Sequence, residues 1–303
     1  MSDPTPTTPI LEIEDLRVAI YGKGTRTPVL RGAHLKLEAG KILGLVGESG
    51  GGKTMVCKAI LGVLPESARV ESGTIRFEGR DLLAMPARER RGLLGSSIAM
   101  ILQNPMTALN PVFRIEDQMT DVLRLHAGMD RAQARARALE MLTAVHIRDP
   151  ERVLRHYPHE LSGGMCQRVV ISIAFSCSPR LIIADEPTTA LDVTVQHQIL
   201  RLIRELQRKT GTSVLFITHD LGVVAKVCDS VSVIYAGRIL ESGPVEQIFS
   251  SQHHPYTQAL LDAAPRYDRP ETTLHPVSQE LRERLAREAE EYDRTVGREV
   301  ARA

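Results

Sequence analysis

Ile42-Leu43-Gly44-Leu45-Val46, followed by Gly47-Glu48-Ser49-Gly50-Gly51-Gly52-Lys53-Thr54 and then by apolar residues at Val56, Ala59, Ile60 and Val63, decides how this chain folds. A short apolar run without alternation is a strand buried on both faces, as in a parallel α/β sheet, and the spacing after the loop is that of a helix. The glycines between them let backbone N–H groups close around phosphates, and the helix N-terminus adds a favourable dipole. This is a P-loop in the setting the motif requires. Gly47, Glu48, Ser49, Gly50, Gly51, Gly52, Lys53 and Thr54 are the expected ATP-binding set. Lys53 can neutralise the β- and γ-phosphates, and Thr54 can ligate Mg²⁺. A Gly-rich turn alone is often only flexible; here strand, loop, Gly-Lys-Thr and helix agree.

Leu181 to Ala184 and Val214 to Ile217 are runs of the same buried kind, each followed by a polar loop and helical periodicity. Ile199, Leu202, Ile203 and Leu206 form one helical face, stopped by Gly211; Leu221, Val224, Ala225 and Cys228 form another. Alternation in Leu11-Glu12-Ile13-Glu14, Leu35-Lys36-Leu37-Glu38 and Ile75-Arg76-Phe77-Glu78 predicts half-exposed antiparallel strands. Between the first two parallel strands, residues from about 104 to 178 form an inserted helical subdomain. Its clearest helix carries Ala132, Ala136, Leu139 and Leu142 after a capping Asp130. The expected organisation is a disordered lead-in at 1–9, a catalytic domain over 10–265 and a polar C-terminal extension over 266–303. The charged stretch Ser278 to Arg302 is expected as an exposed helix or a disordered tail.

Composition narrows the class. With 38 Lys+Arg against 37 Asp+Glu the formal net charge is +1, so no bulk field draws the chain to nucleic acid or acidic lipid. Cys57, Cys166, Cys177 and Cys228 share no CxxC spacing and read as reduced thiols of a cytoplasmic protein. No apolar run approaches the ~20 residues that crossing a bilayer needs. Met1 to Pro9 has no Lys or Arg and no apolar core after it, so it is not a targeting signal.

Leu181 to Glu186 ends a buried strand in two adjacent carboxylates at the sheet edge where α/β ligands bind. Successive strand residues point apart, which gives the two acids different tasks. Asp185 suits the Mg²⁺ shell, and Glu186 suits orienting and polarising an attacking water. Upstream lies Leu161-Ser162-Gly163-Gly164-Met165-Cys166-Gln167-Arg168, whose Ser-Gly-Gly turn opening a helix is itself an anion-binding device.

That octapeptide resembles the signature of ABC transporter ATPases, LSGGQ, with Met165 in place of the commoner Gln. The resemblance runs from about Ile10 to Pro265. It implies an α/β, ABC-type P-loop ATPase with a RecA-like parallel-sheet core, an antiparallel β subdomain and an inserted helical signature subdomain. Ser162, Gly163 and Gly164 would then meet the γ-phosphate held by another subunit. Gln103 in Ile101-Leu102-Gln103-Asn104-Pro105 looks like the Q-loop, sensing Mg²⁺ and coupling to the permease. Thr189-Ala190-Leu191-Asp192 looks like the D-loop, with Asp192 communicating between subunits, and His219 looks like the switch histidine at the γ-phosphate. The adenine would stack on Tyr21, the aromatic available between Leu11 and Gly40.

Met100 to Pro111, Asp185 to Thr194 and His254-Pro255-Tyr256-Thr257 are similar to the ATPases of oligopeptide, dipeptide and nickel importers. Arg152-Val153-Leu154 leading to Tyr157-Pro158, with no cysteine segment after residue 257, is somewhat nearer the nickel type. The resemblance implies a peripheral protein at the cytoplasmic face of the inner membrane that binds ATP and Mg²⁺. It would work with two permease subunits, a second, distinct ATP-binding cassette and an extracytoplasmic substrate-binding protein, without nucleic acid. A soluble ABC ATPase acting on nucleic acid or ribosomes is the competing reading. It would bring long coiled-coil insertions, zinc-type cysteine sets or tandem cassettes, none of which is in the sequence. A P-loop kinase or GTPase leaves Leu161 to Arg168 unexplained. His156-Tyr157-Pro158-His159 and His253-His254 lack the carboxylate or cysteine spacing of a metal site, and Cys166 reads as a packing variant.

Overall fold

The structure, a computed structural model, describes residues 9–22, 24–189, 191–250, 254–263 and 278–300. The expected disorder at residues 1–8, the polar stretch at 267–276, Ala190 and His253 lie outside the described residues. The chain divides into two compact units: residues through 38, 42–85 and from 217 onward form the first, and 39–41 with 86–216 form the second.

The first unit opens with β1 (Pro9–Gly22), β2 (Thr25–Glu38), β3 (Ile42–Val46), α1 (Lys53–Leu61), β4 (Ala68–Phe77) and β5 (Arg80–Asp81). The second holds α2 (Ala87–Leu93), β6 (Ile98–Ile101), α3 (Pro105–Ala108), α4 (Ile115–Ala127), α5 (Arg131–Ala144), α6 (Pro150–Arg155), α7 (Gly163–Ser176), β7 (Leu181–Asp185) and α8 (Val193–Thr210). The chain returns to the first unit within β8 (Ser213–Thr218) and continues as α9 (Leu221–Val227), β9 (Ser230–Tyr235), β10 (Arg238–Pro244), α10 (Val245–Ser250), α11 (Pro255–Ala263) and α12 (Gln279–Val300).

The alternating segments pair as an antiparallel sheet in the order β2-β1-β4-β5, with Ile13 opposite both Leu35 and Ile75. Leu11, Ile13, Leu35, Leu37, Ile75 and Phe77 are buried, while Glu14 and Glu38 face solvent. This is the in-and-out pattern of a sheet with one dry face. In the same unit β9 pairs parallel with β3 and antiparallel with β10. Every residue of β3 is buried, as the unbroken apolar run predicts. Helix α1 stops sooner than its spacing suggests. Gly62 caps it in the left-handed conformation, so Val63 falls beyond the helix and is 55% exposed. On α9 the buried face is Leu221, Val223, Val224 and Val227, and Ala225 is exposed, because burying valines removes more apolar surface than burying alanine. Cys228 is buried, its Sγ packed on the bare face of Gly44.

The charged tail is a docked helix. On α12 Leu285 and Ala289 are buried, and one turn on, the Tyr292 ring lies under the guanidinium groups of Arg17 and Arg238 at 5.5 and 4.9 Å. Asp293 completes the contact with Arg31 at 2.9 Å.

In the second unit β6 runs parallel with β7, Met100 opposite Ile183, and β8 lies on the other side of β7. Asp130 caps α5 in a reciprocal capping box with Gln133. The buried face of α5 is Ala134, Ala138, Met141 and Leu142, so Ala132 and Ala136 are on the wrong side. Alanines at 132, 134, 136 and 138 offer two faces of equal hydrophobicity, and Met141 with Leu142 decides between them. Helix α8 buries Ile199, Leu202, Ile203 and Leu206 and ends at Gly211, as read.

Candidate active site

The P-loop of the first unit is held by backbone contacts, which at Gly47 admit no side chain. A Cβ on Gly47 would lie 2.1 Å from the carbonyl oxygen of Ile234, and Gly52 adopts φ 104°. Gly51 N–H donates to Glu48 O at 3.1 Å, and Gly237 N–H donates to Gly51 O at 3.0 Å. Gly237 is in turn fixed by Arg31 N–H, which donates to its carbonyl at 2.9 Å. Lys53, 5% exposed, sends its Nζ to Gly47 O at 2.7 Å and Glu48 O at 3.0 Å. A cation therefore stands inside the ring of loop backbone, at the N-terminus of α1, the arrangement that receives a polyphosphate. Thr54 is exposed in the first turn.

His219 follows β8 directly and is exposed, and Asp220 caps the next helix through the N–H groups of Gly222 and Val223. Tyr21 is an exposed residue of β1. Its hydroxyl donates to Glu71 Oε1 at 2.6 Å, and its ring lies 5.6 Å from the Arg69 guanidinium. That hydrogen bond to Glu71 raises its phenol above the usual tyrosine value.

In the second unit Asp185 belongs to β7 but Glu186 lies one residue past it, so a turn and not strand alternation sets the two acids apart. Asp185 ends the strand half-buried, and Glu186 takes φ 47°, a left-handed backbone that L-residues adopt at a cost of about 1 kcal/mol or more. The turn fixes the Glu186 side chain: its Oε2 accepts from Gln103 Nε2 at 3.1 Å and from Thr189 Oγ1 at 3.0 Å. Gln103 follows β6, the strand beside β7, so adjacent strand ends deliver amide and carboxylate to each other.

The signature turn begins α7. Ser162 caps it, its hydroxyl accepting from Met165 N–H at 3.3 Å; Gly163 has open space where a Cβ would be, and a Cβ on Gly164 would stand 3.1 Å from the Val195 side chain. Asp192 caps α8 by accepting from Val195 N–H at 2.9 Å. Cys166 is buried, its Sγ 3.4 Å from Pro158 O, and burial pushes its thiol up. Among the described residues no three His, Cys, Asp or Glu side chains gather as a cation cage. The Thr54 hydroxyl in the first unit, and the Gln103 amide and Asp185 carboxylate oxygens in the second, are each hard donors of the kind Mg²⁺ accepts, an ion that takes one or two carboxylates and fills its shell from substrate phosphates.

Sequence reasoning missed two supports of the P-loop, Gly237 and Tyr256. Tyr256 Oη accepts the N–H of Glu48 at 3.1 Å. The His-Pro-Tyr-Thr motif was the available signal, read as a subfamily mark without a task.

Residues 30–189 match the family model described as ABC transporter, and residues 240–289 match that for the C-terminal region of oligopeptide/dipeptide transporters. A probable peptide ABC transporter ATP-binding protein of Sinorhizobium fredii is 49% identical over 84% of this chain and 77% of its own length. A dipeptide transport ATP-binding protein of Bacillus subtilis is 47% identical over 88% of this chain and 80% of its own. A solved ATP-binding cassette, dimeric in a post-hydrolysis state with ADP and Pi, matches with a TM-score of 0.69 at 23% identity, over 78% of this chain and 98% of that one, a likeness of fold.

Proposed function

Because this chain belongs to the ABC transporter family, as an ATP-binding and ATP-hydrolysing subunit of the oligopeptide/dipeptide importer branch, we propose that its loops divide the hydrolysis cycle as follows. The P-loop amides and Lys53 bind the β- and γ-phosphates. Thr54, Asp185 and Gln103 supply oxygens to Mg²⁺, which when bound neutralises phosphate charge. Glu186 orients and polarises the attacking water, His219 contacts the γ-phosphate, and Tyr21 stacks on adenine. Ser162, Gly163 and Gly164 complete the site of a second cassette, and Asp192 answers to that cassette.

The observation that carries this reading is the pair Glu186–Gln103. The group poised for water is hydrogen-bonded to the residue that begins the helical segment, so a change at one is felt at the other. Glu186→Gln tests it: turnover should fall at least about 100-fold, the scale on which general-base catalysis acts, while ATP binding persists and a closed dimer accumulates. Equal loss of binding and turnover would defeat the assignment. Asp185→Asn should weaken Mg²⁺-dependent binding.

No helix among the described residues is long and apolar enough to cross a membrane. As the ATPase subunit of an importer, the chain acts through membrane permease partners. Leu102, just before Gln103, and Met106, Val112 and Phe113, after it, are exposed, and such apolar side chains on one segment favour it as the permease contact. We place the chain at the cytoplasmic face of the membrane, beside two permease subunits, a second, distinct cassette and an extracytoplasmic binding protein. A peptide cargo is favoured by the names of the relatives.

A further inference from the structure

We propose that Tyr256 is a positioning residue of the phosphate-binding loop, assisted by Arg282 of α12, so that the C-terminal region sets the conformation in which Lys53 meets nucleotide. This rests on the P-loop reading above. Glu48 N–H and Gly47 C=O belong to one rigid peptide plane. Tyr256 Oη accepts from the N–H end at 3.1 Å, and Lys53 Nζ donates to the C=O end at 2.7 Å. Turning that plane would withdraw the acceptor that aims the lysine. The Glu48 carboxylate is held separately, its Oε1 3.1 Å from Arg282 Nη2.

Tyr256 is locked before it touches the loop. Pro255 opens α11 with its preset φ, Tyr256 N–H donates to His254 Nδ1 at 3.2 Å, and His254 N–H donates to Glu241 Oε2 at 3.2 Å. The Tyr256 ring packs on Tyr235, centroids 4.7 Å apart and planes at 59°. Tyr235 ends β9, and two residues later Gly237 holds Gly51 O. One hairpin thus braces the far side of the loop directly and the near side through the tyrosine.

Packing alone would be served by phenylalanine. The side chain is 0% exposed, and a hydroxyl kept there requires a partner, which is the loop N–H. Arg282 and Glu48 are 48% and 34% exposed, so their ion pair is screened and ranks second. Buried Leu285 and Ala289 seat the helix that carries Arg282.

The test uses the full-length chain, titrated with a non-hydrolysable ATP analogue and Mg²⁺ and melted without nucleotide. Tyr256→Phe keeps the ring on Tyr235 and removes one hydrogen bond, so Kd should rise about three- to tenfold. The KM for ATP should rise in parallel, while kcat at saturating ATP changes less than about twofold. Arg282→Ala should weaken binding about twofold, with Arg282→Lys restoring most of it. A Tyr256→Phe chain that melts lower but binds the analogue unchanged would overturn the proposal, leaving the tyrosine a packing residue. Lys53→Ala separates the two levels: it must lose nucleotide. If it binds normally the P-loop reading itself fails; if it loses binding while Tyr256→Phe does not, only the positioning role falls.

Discussion

Gly237→Ala tests whether the P-loop is shaped from beneath. Gly237 has φ +78°, where an L-residue costs roughly 1–2 kcal/mol. Its added Cβ would stand 2.0 Å from Val29 O and 2.9 Å from Leu30 Cα, both backbone atoms of β2 that no rotamer change can move aside. Relieving that overlap has the character of overpacking, about 1–3 kcal/mol. Any shift also draws Gly237 N–H from Gly51 O and Gly237 O from Arg31 N–H. The total expected loss is about 3–5 kcal/mol. Gly79 is the matched control: it lies in the same unit with the same φ of +78° and nothing within 4 Å of its added Cβ, so Gly79→Ala should cost only about 1 kcal/mol. Denaturant titrations of both variants measure the difference, and titration with the ATP analogue shows whether it reaches the nucleotide. Gly237→Ala should bind more weakly even where fully folded. Equal stability losses for the two variants, with nucleotide affinity unchanged in both, would refute the account of the loop as clamped between β2 and the β9–β10 turn.

Gln103→Ala removes the amide bonded to Glu186 and should reduce transport in reconstituted vesicles more than basal ATP hydrolysis; proportional loss of both would show that Gln103 does not couple them. If the chain pairs with a distinct cassette, mixing Lys53→Ala with Ser162→Arg should restore little activity, whereas recovery to about a quarter of the unmutated activity, the share of intact sites that random mixing gives a homodimer, with concentration-independent activity before mutation, would establish a homodimer. Burial pushes the Tyr256 phenol from its ordinary 10.0 up to about 12, so the folded chain keeps a proton that the unfolded chain has lost. Its contribution is complete below pH 10.0 and disappears as pH rises towards 12. Tyr235 is raised by burial too, so the measurement is the difference: Tyr256→Phe should show a shallower fall in stability over that range than the unmutated chain.

The parts legible in the sequence act through contiguous backbone. A P-loop needs a strand end, glycines, a lysine and a helix start, all within the span Ile42 to Thr54, and the structure builds them there. The carboxylates at the end of β7 and the Ser162 turn are local in the same sense. Helix faces were legible where large aliphatic residues set them, as on α8, and failed where alanine spacing left two equivalent choices, as on α5. Val63 failed differently: its spacing fits the helix, but Gly62 adopts a left-handed conformation and ends α1 first.

What the sequence hid is support that arrives from far along the chain. Tyr256 is 208 positions from Glu48, and Arg282 is 234. No window reports such pairings, because each partner is ordinary in its own neighbourhood: a tyrosine in a helix's first turn, an arginine on a charged helix. The tail shows how little local signal there was. Leu285, Ala289 and Tyr292 recur at intervals of four and three among mostly charged neighbours, a stripe too narrow to separate a solvated helix from a docked one. Two features outside that stripe distinguish them in the structure: the Arg17 and Arg238 guanidinium groups that take the Tyr292 ring, and Arg31 that takes Asp293. Arg17 and Arg31 belong to β1 and β2, and Leu30, next to Arg31, would meet a Cβ placed on Gly52. The helix at the end of the chain and the loop near its beginning are therefore fastened to the same strands. A perturbation of α12 has a short physical route to the phosphate site, through β2 as well as through Arg282.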